Sequence, residues 1–412
     1  MKKIVFTFAL CLAVGLSSFG QKKAVKSAEN EIKSDKPNLA DARTSIKGAM
    51  SDPETKDDAK TYYVAGMIEN KQFDQERTKE LLGQQPNEET MYQSLLAIIP
   101  YFTQADKLDQ LPDAKGKVKP KYRKDIKSII NANRPYYING GAFYFDKRDY
   151  KQAYDFFMIY LDIPKMDMFK GDNIALNDTL YSQIKFYAAV AASQMGEDGR
   201  QKAIDMYTSL KSDDYKTNEV YQYLCFEYEQ AGDTLNLIAT LKEGVDKFPN
   251  EPYFLLGLIN QYIYANLYDD AVDYLLKAIE RKPQDPQLYD VLGRIYENKK
   301  EIDKAAEYFE KALQIDPNYV EALGNMGRIY YNKGVDAQAA ANDISDNKLY
   351  NEEIAKAKEI FKSALPFFEK AHELKPADRD YINALRSIYY NLNMNEQFEK
   401  IEKELNTPAD TE

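Results

Sequence analysis

Tyr228, Tyr262, Tyr296 and Tyr330 stand one 34-residue step apart. A fixed period of that size means stacked copies of one supersecondary unit, because a single copy cannot bury its apolar face without a neighbour. Pro249, Pro283 and Pro317 keep the same step, as do Leu224, Leu258 and Leu292, the pair Ala271 and Ala305, and the pair Ala278 and Ala312. Several columns therefore share one register.

Counted from residue 286, one unit is PQLYDVLGRIYENKKEIDKAAEYFEKALQIDPNY, with Tyr289, Leu292, Gly293, Tyr296, Ala305, Phe309, Ala312 and Pro317 at positions 4, 7, 8, 11, 20, 24, 27 and 32. This resembles the tetratricopeptide repeat, whose pattern is W-x2-L-G-x2-Y, then A-x3-F, then P. Tyr289 stands where the family has tryptophan, as some residue must in a chain with no Trp. The resemblance implies an all-α fold, a right-handed superhelical solenoid of helix-turn-helix repeats. Small Gly293 and Ala305 let two helices approach closely, while Leu292, Tyr296 and Phe309 fill the seam. Pro317 ends the second helix, because it has no backbone N–H to continue the ladder.

The same register opens units at 184, 218, 252, 286 and 320, and then slips by a countable amount. Tyr330 to Tyr389, Ala305 to Ala364, Phe309 to Phe368 and Pro317 to Pro376 are each 59 apart, one period plus 25. A 25-residue insertion within residues 331–363 accounts for every late offset. Its flanks, DAQAAAN and LYNEEIAKAKEIFK, are strong helix formers around a polar DISDNK break, so two lengthened helices are expected. About twelve extra residues in each would project roughly 18 Å. The last unit, from Arg379, has Phe398 where alanine belongs, as in an atypical capping repeat.

Upstream, Tyr137, Gly141, Tyr144, Ala153 and Phe157 fit a unit beginning at 134, and the surplus before 184 matches the turn-rich residues 163–178. Residues 21–133 read as degenerate repeats, with Tyr62, Gly66 and Phe73 expected to belong to one helix pair of the same kind. Residues 134–412 read as the regular solenoid. Such an array buries its core between neighbouring units, so one long domain is expected, with the KGKVKPKYRK run at 115–124 as the alternative break.

MKKIVFTFALCLAVGLSSFG has two lysines, an apolar stretch and small residues before Gln21, so residues 1–20 read as a cleaved export signal. Cys11 lacks the arrangement of a bacterial lipoprotein signal. Beyond this stretch no apolar run reaches the length of a membrane span, and no membrane insertion is expected. With 55 basic against 66 acidic side chains, nucleic acid and anionic lipid are not the expected partners.

Catalytic chemistry finds little material. There is one histidine, His372, and one cysteine past the signal, Cys225, so a zinc site or a Cys/His nucleophile pair cannot be assembled and no cofactor is expected. His372 reads as a solvent-facing residue near a helix C-terminus, and Cys225 as a packing residue at position 8. A hydrolase using paired carboxylates would need two of them singled out, and no spacing does so. The NDISDNK stretch reads as a solvated turn and KGKVKPKYRK as a solvated loop. Asp178-Thr179-Leu180 and Asp233-Thr234-Leu235 resemble Asp-Thr-aliphatic O-glycosylation sites of exported bacterial proteins.

In the tetratricopeptide family the concave groove is lined mainly by first-helix positions 2, 5, 9, 12 and 13. Carried onto this register, they give Tyr253, Asn260 and Tyr264, then Asp290, Arg294 and Asn298, then Arg328, Tyr331 and Asn332, and last Asn383, Tyr390 and Asn391. Arg294 and Arg328 share position 9, and Tyr331-Asn332 recurs as Tyr390-Asn391 across the insertion. Such a row can stack on a ligand and bond its main chain, as binding an extended peptide or an inserted helix requires. Leu256 and Val291 fall where the family's carboxylate clamp needs polar groups. The expected function is a non-catalytic protein-binding scaffold of the bacterial cell envelope, periplasmic, with a protein or peptide partner. The alternative is an outer-membrane or periplasmic glycan-binding protein, against which stands the absence of tryptophan.

Overall fold

A computed structural model describes residues 20–172 and 179–406. The export-signal reading of residues 1–20 and Asp178 of the first glycosylation-like triplet lie, apart from Gly20, outside the described residues. Among the described residues the chain is helical, with no strand, and its class is an all-α helical-repeat solenoid. It divides into two compact units, one ending at Thr240 and the other beginning at Leu241. No described helix is long and apolar enough to cross a membrane.

The first unit contains α1 (residues 20–32), α2 (Leu39–Ser51), α3 (Ala59–Leu81), α4 (Glu88–Asp109), α5 (Arg123–Asp146), α6 (Tyr150–Asp162), α7 (Thr179–Gln194), α8 (Glu197–Leu210), α9 (Thr217–Ala231) and the first half of α10 (Thr234–Lys247). The helix α5 carries Pro135 inside it, so the unit counted from 134 opens within a helix. Tyr62, Gly66 and Phe73 all lie on α3, not on a helix pair. No turn residue separates Gly66 from Phe73, so the helix runs on, and the ring that packs on Gly66 is Phe102 of α4, where a Cβ would come within 2.3 Å of Phe102 Cδ1. The core is aromatic, and two of its buried hydroxyls find carbonyl acceptors: Tyr137 donates to the Leu95 carbonyl at 3.0 Å and Tyr181 to the Leu161 carbonyl at 3.0 Å, whereas the Tyr207 hydroxyl has no partner among the described residues.

The basic run at 115–124 lies inside this first unit. Acceptors fold it onto the end of α4: Asp109 Oδ2 takes the N–H of Lys121 at 2.8 Å and of Tyr122 at 2.7 Å, and Asp113 Oδ1 takes those of Lys115 and Lys117 at 2.9 Å.

The second unit holds the end of α10, then α11 (Pro252–Tyr264), α12 (Tyr268–Arg281), α13 (Pro286–Asn298), α14 (Ile302–Ile315), α15 (Val320–Asn342), α16 (Asn347–Leu374), α17 (Arg379–Asn391) and α18 (Asn395–Asn406). Consecutive helices pack as hairpins, and α12, α14 and α16 each pack on the first helix of the next pair. The local reasons recur. Glu251, Asp285 and Asp378 cap α11, α13 and α17 by accepting the N–H two residues on, and Pro252 and Pro286 occupy the first turn, where a missing N–H costs nothing. Gly293 lies under Phe309 so closely that a Cβ would meet its Cε1 at 2.6 Å.

Asn266 and Lys300 turn the chain between paired helices in the left-handed region, at φ 57° and 63°. Gly334 stands one step further on but remains helical, because α15 continues to Asn342, and it takes the Phe361 ring of α16 instead. The helices α15 and α16 are 23 and 28 residues long, against 13 and 14 for α13 and α14.

Candidate functional site

Two cavities of about 670 Å³ each adjoin along the first helices of the second unit. One is lined by Asp290 and Arg294 of α13, by Arg328, Tyr331 and Asn332 of α15, and by Asp380 and Tyr381 of α17. The other is lined by Asn260 of α11 and by Asp290, Arg294 and Asn298 of α13. Asp290, Arg294 and Glu321 belong to both. Of the residues carried over from the repeat pattern, Tyr253, Tyr264, Asn383, Tyr390 and Asn391 line neither cavity. Tyr264 and Tyr390 are 80% and 71% exposed, and Asn391 donates its amide back to the Ser387 carbonyl at 2.9 Å.

The shared wall is organised by a chain of polar contacts between α13 and α15. Glu297 grips the Arg328 guanidinium through both nitrogens, with Arg328 Nη2 2.9 Å from Glu297 Oε2. The same Nη2 donates to Asn325 Oδ1 at 2.8 Å, and Asn325 Nδ2 donates to Asp290 Oδ1 at 2.8 Å. Arg328 is therefore not the free groove cation expected from its repeat position, because Glu297 one unit back holds it. Arg294 is exposed, and among the described residues no carboxylate lies within ion-pair distance of it.

Asp290 is 3% exposed, and burial raises its carboxyl above the ordinary range, with the Asn325 bond and the nearby Arg294 opposing. Glu321 is lowered by its hydrogen bond from Lys375 at 2.9 Å. Tyr381 closes over Gly324, where a Cβ would meet the ring at 2.9 Å, and its ring lies 6.4 Å from that of Phe368. Glu297, Glu321 and Asp380 escaped the sequence-based set although the same register places them at positions 12, 2 and 2; Asn325 and Tyr381 fall at positions that the groove pattern does not name.

Residues 256–320 match a family described as tetratricopeptide repeat, and residues 308–340 match a second family of the same description. Residues 256–340 are therefore tetratricopeptide repeats. No curated protein matches it. Among solved structures it is similar to the C-terminal part of a TPR repeat-containing protein from Cytophaga hutchinsonii, at 19% identity and a TM-score of 0.40, over 64% of this chain and 92% of that one. A TPR repeats protein from Bacteroides fragilis gives 19% and 0.31 over 66% and 98%. MamA from Desulfovibrio magneticus gives 16% and 0.29 over 44% and 96%.

Elsewhere in this repeat protein, Cys225 is buried and free, and burial pushes its thiol up to about 12, which suits packing and not nucleophilic work. His372 does not face solvent as expected. It is 19% exposed, and its Nε2 lies 3.0 Å from Glu404 Oε2, because α18 folds back over the end of α16. Thr234 opens α10, with Leu235 84% exposed beside it. Among the described residues no group of three His, Cys, Asp or Glu side chains is placed to hold a metal.

Proposed function

We propose that this tetratricopeptide-repeat protein is a non-catalytic scaffold that holds an extended segment or a helix of a partner protein in the groove of its second unit. We further propose that it is exported and works in the bacterial cell envelope, on the strength of its N-terminal sequence. The repeats suggest protein–protein interaction as the coarse function. The observation that carries the finer reading is the pair of adjoining cavities, which share Asp290, Arg294 and Glu321 and continue from α11 to α17. Exposed amides at Asn260, Asn298 and Asn332 line them, and amides can pair with a guest's main chain while aromatic walls take its side chains.

The test fills the groove without touching its polar chain. Asn260 and Asn332 are exposed and line one cavity each. Affinity capture from envelope extract, with residues 21–412 as bait and mass spectrometry as readout, is run beside the Asn260→Trp/Asn332→Trp variant. A partner retained by the wild type and lost by the variant, at equal melting temperature, is the expected result. A partner retained equally by both sinks the groove reading. Arg328→Glu is no substitute, since it would break the pair with Glu297.

A further inference from the structure

Asp290 is a carboxylate with too few partners. It is 3% exposed, yet the only hydrogen bond among the described residues that reaches it is the one from Asn325 Nδ2 to Oδ1. The neighbouring contacts fix that donor: Arg328 occupies Asn325 Oδ1, so the amide must turn its N–H group to Asp290. Oδ2 receives no hydrogen bond from the described residues, and Asp290 lines both cavities. A buried carboxylate held by a single neutral donor is costly, and the cost is offset when a cation with its own hydrogen bonds arrives.

The surroundings select for such a cation. Asp285 accepts the N–H that caps α13 with one oxygen, Asp380 takes part in no ion pair among the described residues, and both belong to the groove lining. Glu321 is matched by Lys375 and Arg328 by Glu297, which leaves Arg294 as the single unmatched cation of the lining among the described residues. Tyr331, Phe368 and Tyr381 line the same cavity and offer aromatic faces to a methylene stem or a guanidinium plane.

We propose that the groove reads a cationic residue of the bound polypeptide, whose Lys or Arg side chain reaches Asp290. This rests on the reading of the groove as a polypeptide site. Arg294, one turn after Asp290 on α13, is the competitor that the guest cation must outbid.

The full chain is tested on an array of randomised extended peptides at pH 7, with the residues enriched among bound peptides as readout. The wild type is expected to enrich Lys or Arg at one position, on the order of tenfold. Asp290→Asn keeps the Asn325 hydrogen bond and is expected to lose that enrichment while still binding peptides. Arg294→Gln removes the competitor and is expected to keep or raise it. Enrichment unchanged in Asp290→Asn, lost in Arg294→Gln, or absent from the wild type overturns the inference, and the groove reading stands so long as Asn260→Trp/Asn332→Trp abolishes binding. Binding that survives the tryptophan pair, or no bound peptide at all, overturns the groove reading and this inference with it.

Discussion

The hairpins α3/α4 in the first unit and α13/α14 in the second make the same contact at different lengths. Gly293 and Phe309 are 16 residues apart, on helices of 13 and 14 residues. Gly66 and Phe102 are 36 apart, on helices of 23 and 22. In both pairs the ring lies where a Cβ would be. Gly141 and Phe157 return to a spacing of 16, and Gly327 and Phe368 of the lengthened α15/α16 hairpin stand 41 apart. The repeated object is therefore a close approach of two helices. Lengthening both arms of a hairpin together leaves that contact intact and destroys the ruler.

The sharpest way to break this equivalence is to add one methyl to each contact. Alanine gains about 1 kcal/mol of helix propensity over glycine, but a Cβ at 2.3–2.6 Å from a fully buried ring overpacks by more than that. Gly66→Ala and Gly293→Ala are each expected to lose about 2 kcal/mol net in urea unfolding. A loss at Gly293 with none at Gly66 would mean that the two hairpins only look alike.

The units also differ in how they treat a buried carboxylate. Glu76 of α3, 5% exposed, is opposed by its burial, but Lys79 at 2.8 Å and the Asn87 N–H at 2.8 Å outweigh that, and its pKa is lowered. Asp290 has one donor and a raised pKa. For the lowered group, the stability it contributes is present above the unfolded pKa, about 4.3 for Glu, and is lost as pH falls through the folded value. For the raised group the stability is present below about 3.9 and is lost as pH rises through the folded value. Thermal melts at pH 7 should therefore show Glu76→Gln destabilised, on the order of 1–2 kcal/mol, and Asp290→Asn stabilised, with both differences fading toward pH 3. Two losses at pH 7 would make Asp290 another structural carboxylate and remove the reason to expect a guest cation.

These contrasts mark what the sequence could and could not reveal. The all-α repeat class was legible because tyrosine, alanine and proline columns record helix packing directly along the chain. The α3/α4 hairpin was not, since Gly66 and Phe102 share no spacing with the other pairs and Phe73 stood at a tempting distance. Asn260, Asp290, Arg294, Asn298, Arg328, Tyr331 and Asn332 could be placed along the cavities because position within a first helix fixes the face that a residue occupies. Position does not fix partners. The grip of Glu297 on Arg328 depends on how α13 and α15 sit side by side, and so does the turn of the Asn325 amide toward Asp290.

The smallest expected effect tests the turns that both units share. Arg148 follows α5 at φ 61° and Lys300 follows α13 at φ 63°, both in the left-handed region that costs a residue with a Cβ about 1 kcal/mol. Glycine adopts that conformation freely but loses more entropy on folding, so only part of the strain is recovered. Arg148→Gly and Lys300→Gly should each gain about 0.5 kcal/mol, read as a rise in the urea midpoint at unchanged slope. Lys300 has no salt bridge among the described residues, and neither does Arg148, so the gain is not masked by a lost partner. A gain at Lys300 alone would show that the Arg148 turn is set by its neighbours, Asp149 accepting from Gln152 among them, and not by the backbone conformation that the repeat imposes.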